Sequence, residues 1–330
     1  MTTLMVAILM VGADPKEPPA RPPLTGDFLR EITKQKDMLT IADLVAKLGP
    51  PDRYEHADLI KDVKVIADVQ LIWEDDAVIE MRYKDQKLTA LTARYSGRPA
   101  SNRGPAVVLQ LKPSAVMADV SKLLGNLGLR EESPDGPVYK MNRKGQFEAS
   151  ITDGKFAGYT IAGGFHDPKK LDALPAWVAR PALTRELGDR LAKEVKDGKL
   201  TRDDLLKKLG TPNLIAWPHD GSHGPKGSVQ IAWNEVTRIE TVFDKGMSVY
   251  LSGQFAAQLP IEGITPEAFM KLNHKTDGLR EKVFTDALGK PAEEAKDKEG
   301  RKVLRWGSQR SIEAYLDADD KPTAVRFDGK

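Results

Sequence analysis

Cysteine is absent from the 330 residues. That removes disulfides, thiolate nucleophiles, cysteine zinc sites and lipid attachment through a cysteine, and it leaves the redox compartment undecided. A charge excess of one sign is also missing: 50 Lys and Arg against 48 Asp and Glu leave +2, which gives no footprint for nucleic acid or an anionic membrane. No apolar run approaches the ~20 residues that a bilayer span requires. No Gly-x-Ser-x-Gly elbow occurs, and the glycine-rich run Gly221 to Gly227 has no Lys-Ser/Thr pair after it, so it fails as a phosphate loop. No cofactor is expected.

What is present begins with an N-terminal apolar run, Leu4 to Val11, followed by the small-x-small site Val11-Gly12-Ala13. This pattern reads as a signal peptide cleaved near Ala13, although no Lys or Arg precedes the run. Residues 14–23 then form a proline-rich tether. The expected location is therefore extracytoplasmic, in the periplasm or secreted.

The rest of the chain restates one stretch. Leu39-Thr40-Ile41-Ala42-Asp43-Leu44 through Leu48-Gly49-Pro50-Pro51 matches Leu200-Thr201-Arg202-Asp203-Asp204-Leu205 through Leu209-Gly210-Thr211-Pro212. A third copy runs from Leu279 to Leu288-Gly289-Lys290-Pro291. Thr40 and Thr201 are placed to cap a helix, because a hydroxyl there accepts from N–H groups without an intrahelical partner. Leu44 and Leu48, like Leu205 and Leu209, share one helix face. The glycine suits a left-handed helix end, and the following proline cannot continue the helix.

Each stretch leads into alternating segments that meet a tryptophan: Val69 to Trp73, Val229 to Trp233 and Val303 to Trp306, with Met141 in that place in a worn copy. Period-two alternation turns Trp73, Trp233 and Trp306 toward a core. Hairpins follow, each carrying an apolar-Glu step at Ile79-Glu80, Phe147-Glu148, Ile239-Glu240 and Ile312-Glu313. The same alternation puts these glutamates on the face away from the helices, a solvated face with cross-strand cations. The segments read as unit 1 at 24–97, a degenerate unit 2 at 109–164, a linker at 165–184, unit 3 at 185–255 and unit 4 at 264–330.

This order of helix, Leu-Gly-x-Pro stop, inward tryptophan and hairpin resembles the β-lactamase inhibitor protein fold. It is also similar to the SmpA/OmlA (BamE) family. The resemblance implies an α+β fold of four tandem units, each of two helices on a four-stranded antiparallel sheet, arranged as two pairs. It further implies binding of proteins or the cell envelope without catalysis.

Few residues suggest chemistry. His219-Asp220-Gly221-Ser222-His223 follows Trp217-Pro218 in a loop. Two histidines and an aspartate could serve a divalent ion only with a remote third ligand, so no metal is expected there. An exposed Trp217, with His219 and His223 beside it, is the candidate binding surface. Asp317-Ala318-Asp319-Asp320 lacks the glycine and distal glutamate of a calcium loop and reads as a hairpin turn. His56, His166 and His274 occur singly. The expected function is an exported, non-enzymatic protein-binding protein of the envelope or extracellular space. The alternatives are a hydrolase with a carboxylate-lined cleft between the two pairs, using Glu74, Asp75 and Asp76 beside Trp73, or a structural spacer. Those three acids otherwise form a turn between two short strands.

Overall fold

The structure, a computed structural model, describes residues 24–56, 69–97, 103–152, 154–163, 181–255, 269, 272 and 279–329, without the side chains of 142–144. The signal segment, the tether, Asp153, most of the linker, His166, His274 and the Thr265-Pro266 step lie outside the described residues.

The punctuation of the repeated stretch makes helices for the reasons its chemistry gives. Among the described residues the α-helices are α1 (Gly26–Lys34), α2 (Ile41–Leu48), α3 (Pro105–Val108), α4 (Met117–Leu124), α5 (Arg185–Lys196), α6 (Arg202–Leu209) and α7 (Glu281–Leu288). Thr40 and Thr201 close capping boxes: each hydroxyl accepts from the Asp43 or Asp204 amide, and each carboxylate accepts from the threonine amide at 2.8 Å and 3.1 Å. Gly49, Gly210 and Gly289 end α2, α6 and α7 at φ of 75°, 72° and 79°, a conformation that strains any side chain. The tryptophan at the fifth position of a following long strand completes each end. Trp73, Trp233 and Trp306 donate Nε1–H to the carbonyls of Gly49, Gly210 and Gly289 at 2.9, 2.8 and 2.9 Å. The glycine and the tryptophan recur together because the indole satisfies a carbonyl orphaned at the helix end.

Among the described residues the strands are β1 (Arg53–His56), β2 (Val69–Lys84), β3 (Lys87–Gly97), β4 (Leu129–Glu131), β5 (Val138–Thr152), β6 (Lys155–Gly163), β7 (Leu214–Trp217), β8 (Val229–Asp244), β9 (Met247–Gln254), β10 (Glu293–Lys296), β11 (Lys302–Leu316) and β12 (Pro322–Gly329). All twelve belong to one antiparallel sheet. This overturns the expected four-unit architecture and the resemblance to the β-lactamase inhibitor protein and SmpA/OmlA (BamE) folds. No separate four-stranded sheets exist among the described residues.

The reason lies in the long strands β2, β5, β8 and β11. Asp75 and Asp76 are not a turn; β2 runs straight through them for 16 residues. Its first half, Val69, Leu71 and Trp73, packs in a core with Leu44 and Leu48 of α2, while Ile79, Met81 and Tyr83 pack in another with Val120 and Leu124 of α4. β8 is divided likewise: Ile231 and Trp233 join Leu205 and Leu209 of α6, and Ile239 and Phe243 join Phe284 and Leu288 of α7. The polar residues in mid-strand mark the gap between two apolar layers. A strand shared by two layers cannot belong to one discrete unit.

Pairing then fuses the sheet. β2 and β5 lie edge to edge from Val69↔Ile151 to Arg82↔Val138, and β8 and β11 from Val229↔Leu316 to Phe243↔Lys302. On its other edge β2 carries β1 and β3 end to end, and β8 carries β7 and β9. The halves meet where these edges pair: β1 with β9 at Arg53↔Gln254 to Glu55↔Ser252, and β3 with β7 at Leu91↔Trp217 to Arg94↔Leu214. Counting end-to-end strands as one, the sheet is eight positions wide, in the order β4/β6, β5, β2, β1/β3, β9/β7, β8, β11 and β10/β12. Side chains on the central seam are pinned from both halves, Tyr54 meeting Phe255 and Phe269 edge-on at 5.1 and 5.2 Å.

Candidate functional site

Because alternate residues face opposite ways, most apolar side chains of the strands turn to the helices and the intervening ones to the opposite face, where Ile72 and Tyr315 are buried apolar exceptions. On that face, helix-free among the described residues, a cross-strand ladder runs through both halves. Ser150 lies opposite Gln70, Gln70 opposite Glu55, Glu55 opposite Ser252, Ser252 opposite Glu240, Glu240 opposite Arg305 and Arg305 opposite Glu293. Adjacent strands lie ~4.8 Å apart, so eight positions span about 34 Å. The apolar-Glu glutamates all belong to this face. Glu240 accepts from Arg305 Nε at 2.6 Å and from Arg238 at 2.8 Å; Glu313 accepts from the Tyr315 hydroxyl at 2.5 Å; Glu80 stands opposite Lys140, whose ammonium also reaches Glu131 at 2.6 Å.

Glu148 is set differently. Arg53 lies 3.0 Å from Glu55 and 3.8 Å from Glu74, and it is also the cation nearest in effect to Glu148. Burial first, and then the charge of Glu55, push the Glu148 carboxyl above its ordinary value, with Arg53 opposing. A raised folded-state pKa means the native chain holds the proton more tightly than the unfolded one. Stability therefore falls as pH rises through the folded pKa and is fully restored below the unfolded value. Glu148→Gln is expected to raise the melting temperature at pH 7, with the gain fading as pH drops and vanishing below about 4.5, the ordinary value. Thermal melts of both chains across this range check it; a constant difference at every pH would contradict it.

The acids named beside Trp73 do not converge. Asp75 turns to the helix side and is 1% exposed, while Glu74 and Asp76 turn the other way. Nor is there an open cleft between the described halves, which are joined by backbone pairing along β1–β9 and β3–β7.

Trp217, expected to be exposed, is 5% exposed. The loop composition after it conceals that Leu214 to Trp217 is itself a strand, β7, whose Ile215 and Trp217 alternate into the core. Trp217, Ile215, Val229, Leu316 and Leu111 instead wall a cavity of about 250 Å³ on the helix side, with Lys112 and Arg202 at its mouth. Both cations reach Asp320 Oδ2, at 2.8 and 3.0 Å. The Asp317 to Lys321 segment is the hairpin turn that its sequence suggested, closed by the Asp317 amide donating to the Lys321 carbonyl at 3.0 Å.

The two loop histidines are separated by environment. His219 is buried with its ring 5.0 Å from that of Tyr315, and His223 is exposed. Among the described residues no group of three or more His, Asp or Glu could hold a metal ion. No described helix is long and apolar enough to cross a membrane. The residues that carry the helix-free ladder at the seam, Glu55 and Ser252, escape sequence reasoning, because nothing local says that β1 and β9 are neighbours. The only available signal was the short alternation Arg53-Tyr54-Glu55-His56. Compared with protein-family models, curated proteins and solved structures, the chain matches none.

Proposed function

We propose that this chain is a non-enzymatic binding protein, acting after export, that receives a protein partner on the helix-free face of its sheet. The observation that carries the proposal is the unbroken polar ladder from Ser150 to Glu293, which crosses both halves. A wide polar face of hydroxyl, amide, carboxylate and guanidinium groups suits an extended partner, since polar and charge complementarity set register and orientation across many shallow contacts. The Trp217 cavity is small, and its two cations already share a carboxylate. It fits support of the junction between the helix layers better than a substrate site.

The test is capture from a native envelope fraction with three forms of the full chain: the parent, Glu55→Arg with Glu240→Arg on the face, and Lys193→Glu with Lys196→Glu on the solvent side of α5. The expected result is one protein retained by the parent and the helix variant and lost from the face variant, followed by at least a ~10-fold weaker Kd in direct titration. Retention indifferent to the face variant would reject the face. Turnover of a substrate by the parent would reject the non-enzymatic reading.

A further inference from the structure

Among the described residues the sheet has two outer edges, and they differ in kind. The β10/β12 edge carries Glu293, Glu294, Lys296, Pro322, Arg326 and Asp328, the charges and proline that keep edge strands from pairing. α5 also packs on β12, with the Arg185 guanidinium 5.2 Å from the Phe327 ring centroid. On the β4/β6 edge the charges are Arg130 and Glu131 in β4 and Lys155 at the start of β6, and the rest of β6 has none. Gly158-Tyr159-Thr160-Ile161-Ala162-Gly163 contains neither charge nor proline. Leu129 of β4 and Tyr159 and Ile161 of β6 are 66%, 46% and 39% exposed, three of the seven large apolar side chains exposed among the described residues. Within those residues β4 pairs only with β5, and β6 pairs with β5 and, at its start, through a bridge from Lys155 to Thr40, leaving 158–163 paired on one side alone.

The same edge occurs inside the molecule, already paired. Leu129 lies opposite Lys140, the residue before Met141, as Arg53 lies opposite Ile72, the residue before Trp73. Ile161 lies opposite Phe147 as Ala93 lies opposite Ile79. So β4/β6 stands on β5 as β1/β3 stands on β2, and β1/β3 is bonded to the matching edge β7/β9 of the other half. Transposing that seam gives one register twice over. Arg53↔Gln254 and Arg94↔Leu214 both translate to Leu129↔Ala162 of a second copy, and Glu55↔Ser252 and Thr92↔Ala216 both translate to Glu131↔Thr160. Two independent contacts agreeing on a single register is what a two-fold symmetric, self-complementary junction requires.

We infer that the chain forms a homodimer in which β4 of each copy pairs antiparallel with β6 of the other, extending the sheet across a molecular two-fold. The dimer continues the helix-free face from one copy into the next. This inference does not depend on the proposed binding role.

Its test uses the full chain. Sedimentation equilibrium is expected to give twice the 36.4 kDa chain mass. Because the chain has no native cysteine, Thr160→Cys with Glu131→Cys on the solvent side of the edge should oxidise to a covalent dimer, while each single variant stays uncrosslinked. Ile161→Asp should weaken the dimer by roughly tenfold or more, with circular dichroism reporting whether the fold is retained. A monomer up to submillimolar concentration would overturn the inference. So would a dimer that the cysteine pair fails to trap and Ile161→Asp leaves intact.

Discussion

Trp233→Ala is expected to lower the unfolding free energy by about 4 kcal/mol, and Trp233→Phe by roughly 1–2 kcal/mol. Trp233 is fully buried among Leu205, Leu209 and Ile231, so truncation to alanine leaves a cavity where α6 rests on β8. Phenylalanine keeps most of the apolar contact but removes the donor that lies 2.8 Å from the Gly210 carbonyl. That carbonyl belongs to the residue that caps α6 and would be left without its partner in a dry setting, which is the costlier half of losing a hydrogen bond. Urea unfolding of the three chains separates the two contributions. If phenylalanine cost as much as alanine, packing would not be what the site supplies; if both cost under about 1 kcal/mol, the indole would not be holding the helix end at all. The same experiment at Trp73, whose indole donates to Gly49 at 2.9 Å, should repeat the pattern.

This junction was half legible in the sequence. Threonine, aspartate, leucine spacing and glycine are local signals, and they place α2 and α6 to within a residue or two because capping is decided by neighbours in the chain. Which carbonyl the tryptophan would serve was not legible, since Trp233 and Gly210 are 23 residues apart. Strand length failed for a similar reason. Asp75-Asp76 in β2 breaks the hydrophobic pattern and reads as a turn, and Asn234-Glu235 breaks it at the matching place in β8. Each instead crosses the gap between two helix layers, and Glu235, only 2% exposed, accepts the Leu183 amide at 2.9 Å where the chain enters α5. Trp217 was misplaced because Pro218, His219 and Gly221 advertise a loop and outweighed the two-residue alternation just before them. The glutamate face was read correctly in orientation, because parity along a strand is local; its extent was not, because pairing between β1 and β9 is a property of the fold alone.

Cutting the chain between its halves is expected to leave neither half folded, and this is the sharpest consequence of a single sheet. Had the molecule been two tandem pairs, residues 24–163 and 181–330 would each carry a complete core and would each unfold cooperatively. In the observed arrangement one core contains Leu44, Tyr54 and Trp73 from the first half together with Phe255, Phe284 and Trp306 from the second. Separation uncovers that core and also strips the hydrogen-bonding partners from β1, β3, β7 and β9. Exposed strand edges beside exposed aromatic rings favour aggregation over refolding. Each half alone should therefore lack near-ultraviolet dichroism and a cooperative urea transition, whereas co-expressed halves should assemble into a 1:1 complex with both. A half that melts cooperatively by itself would show that the seam is a contact between finished domains. Failure of the halves to reassemble would show that the covalent link is needed to form the seam, because joining two free chains carries an association cost that a tethered pair avoids.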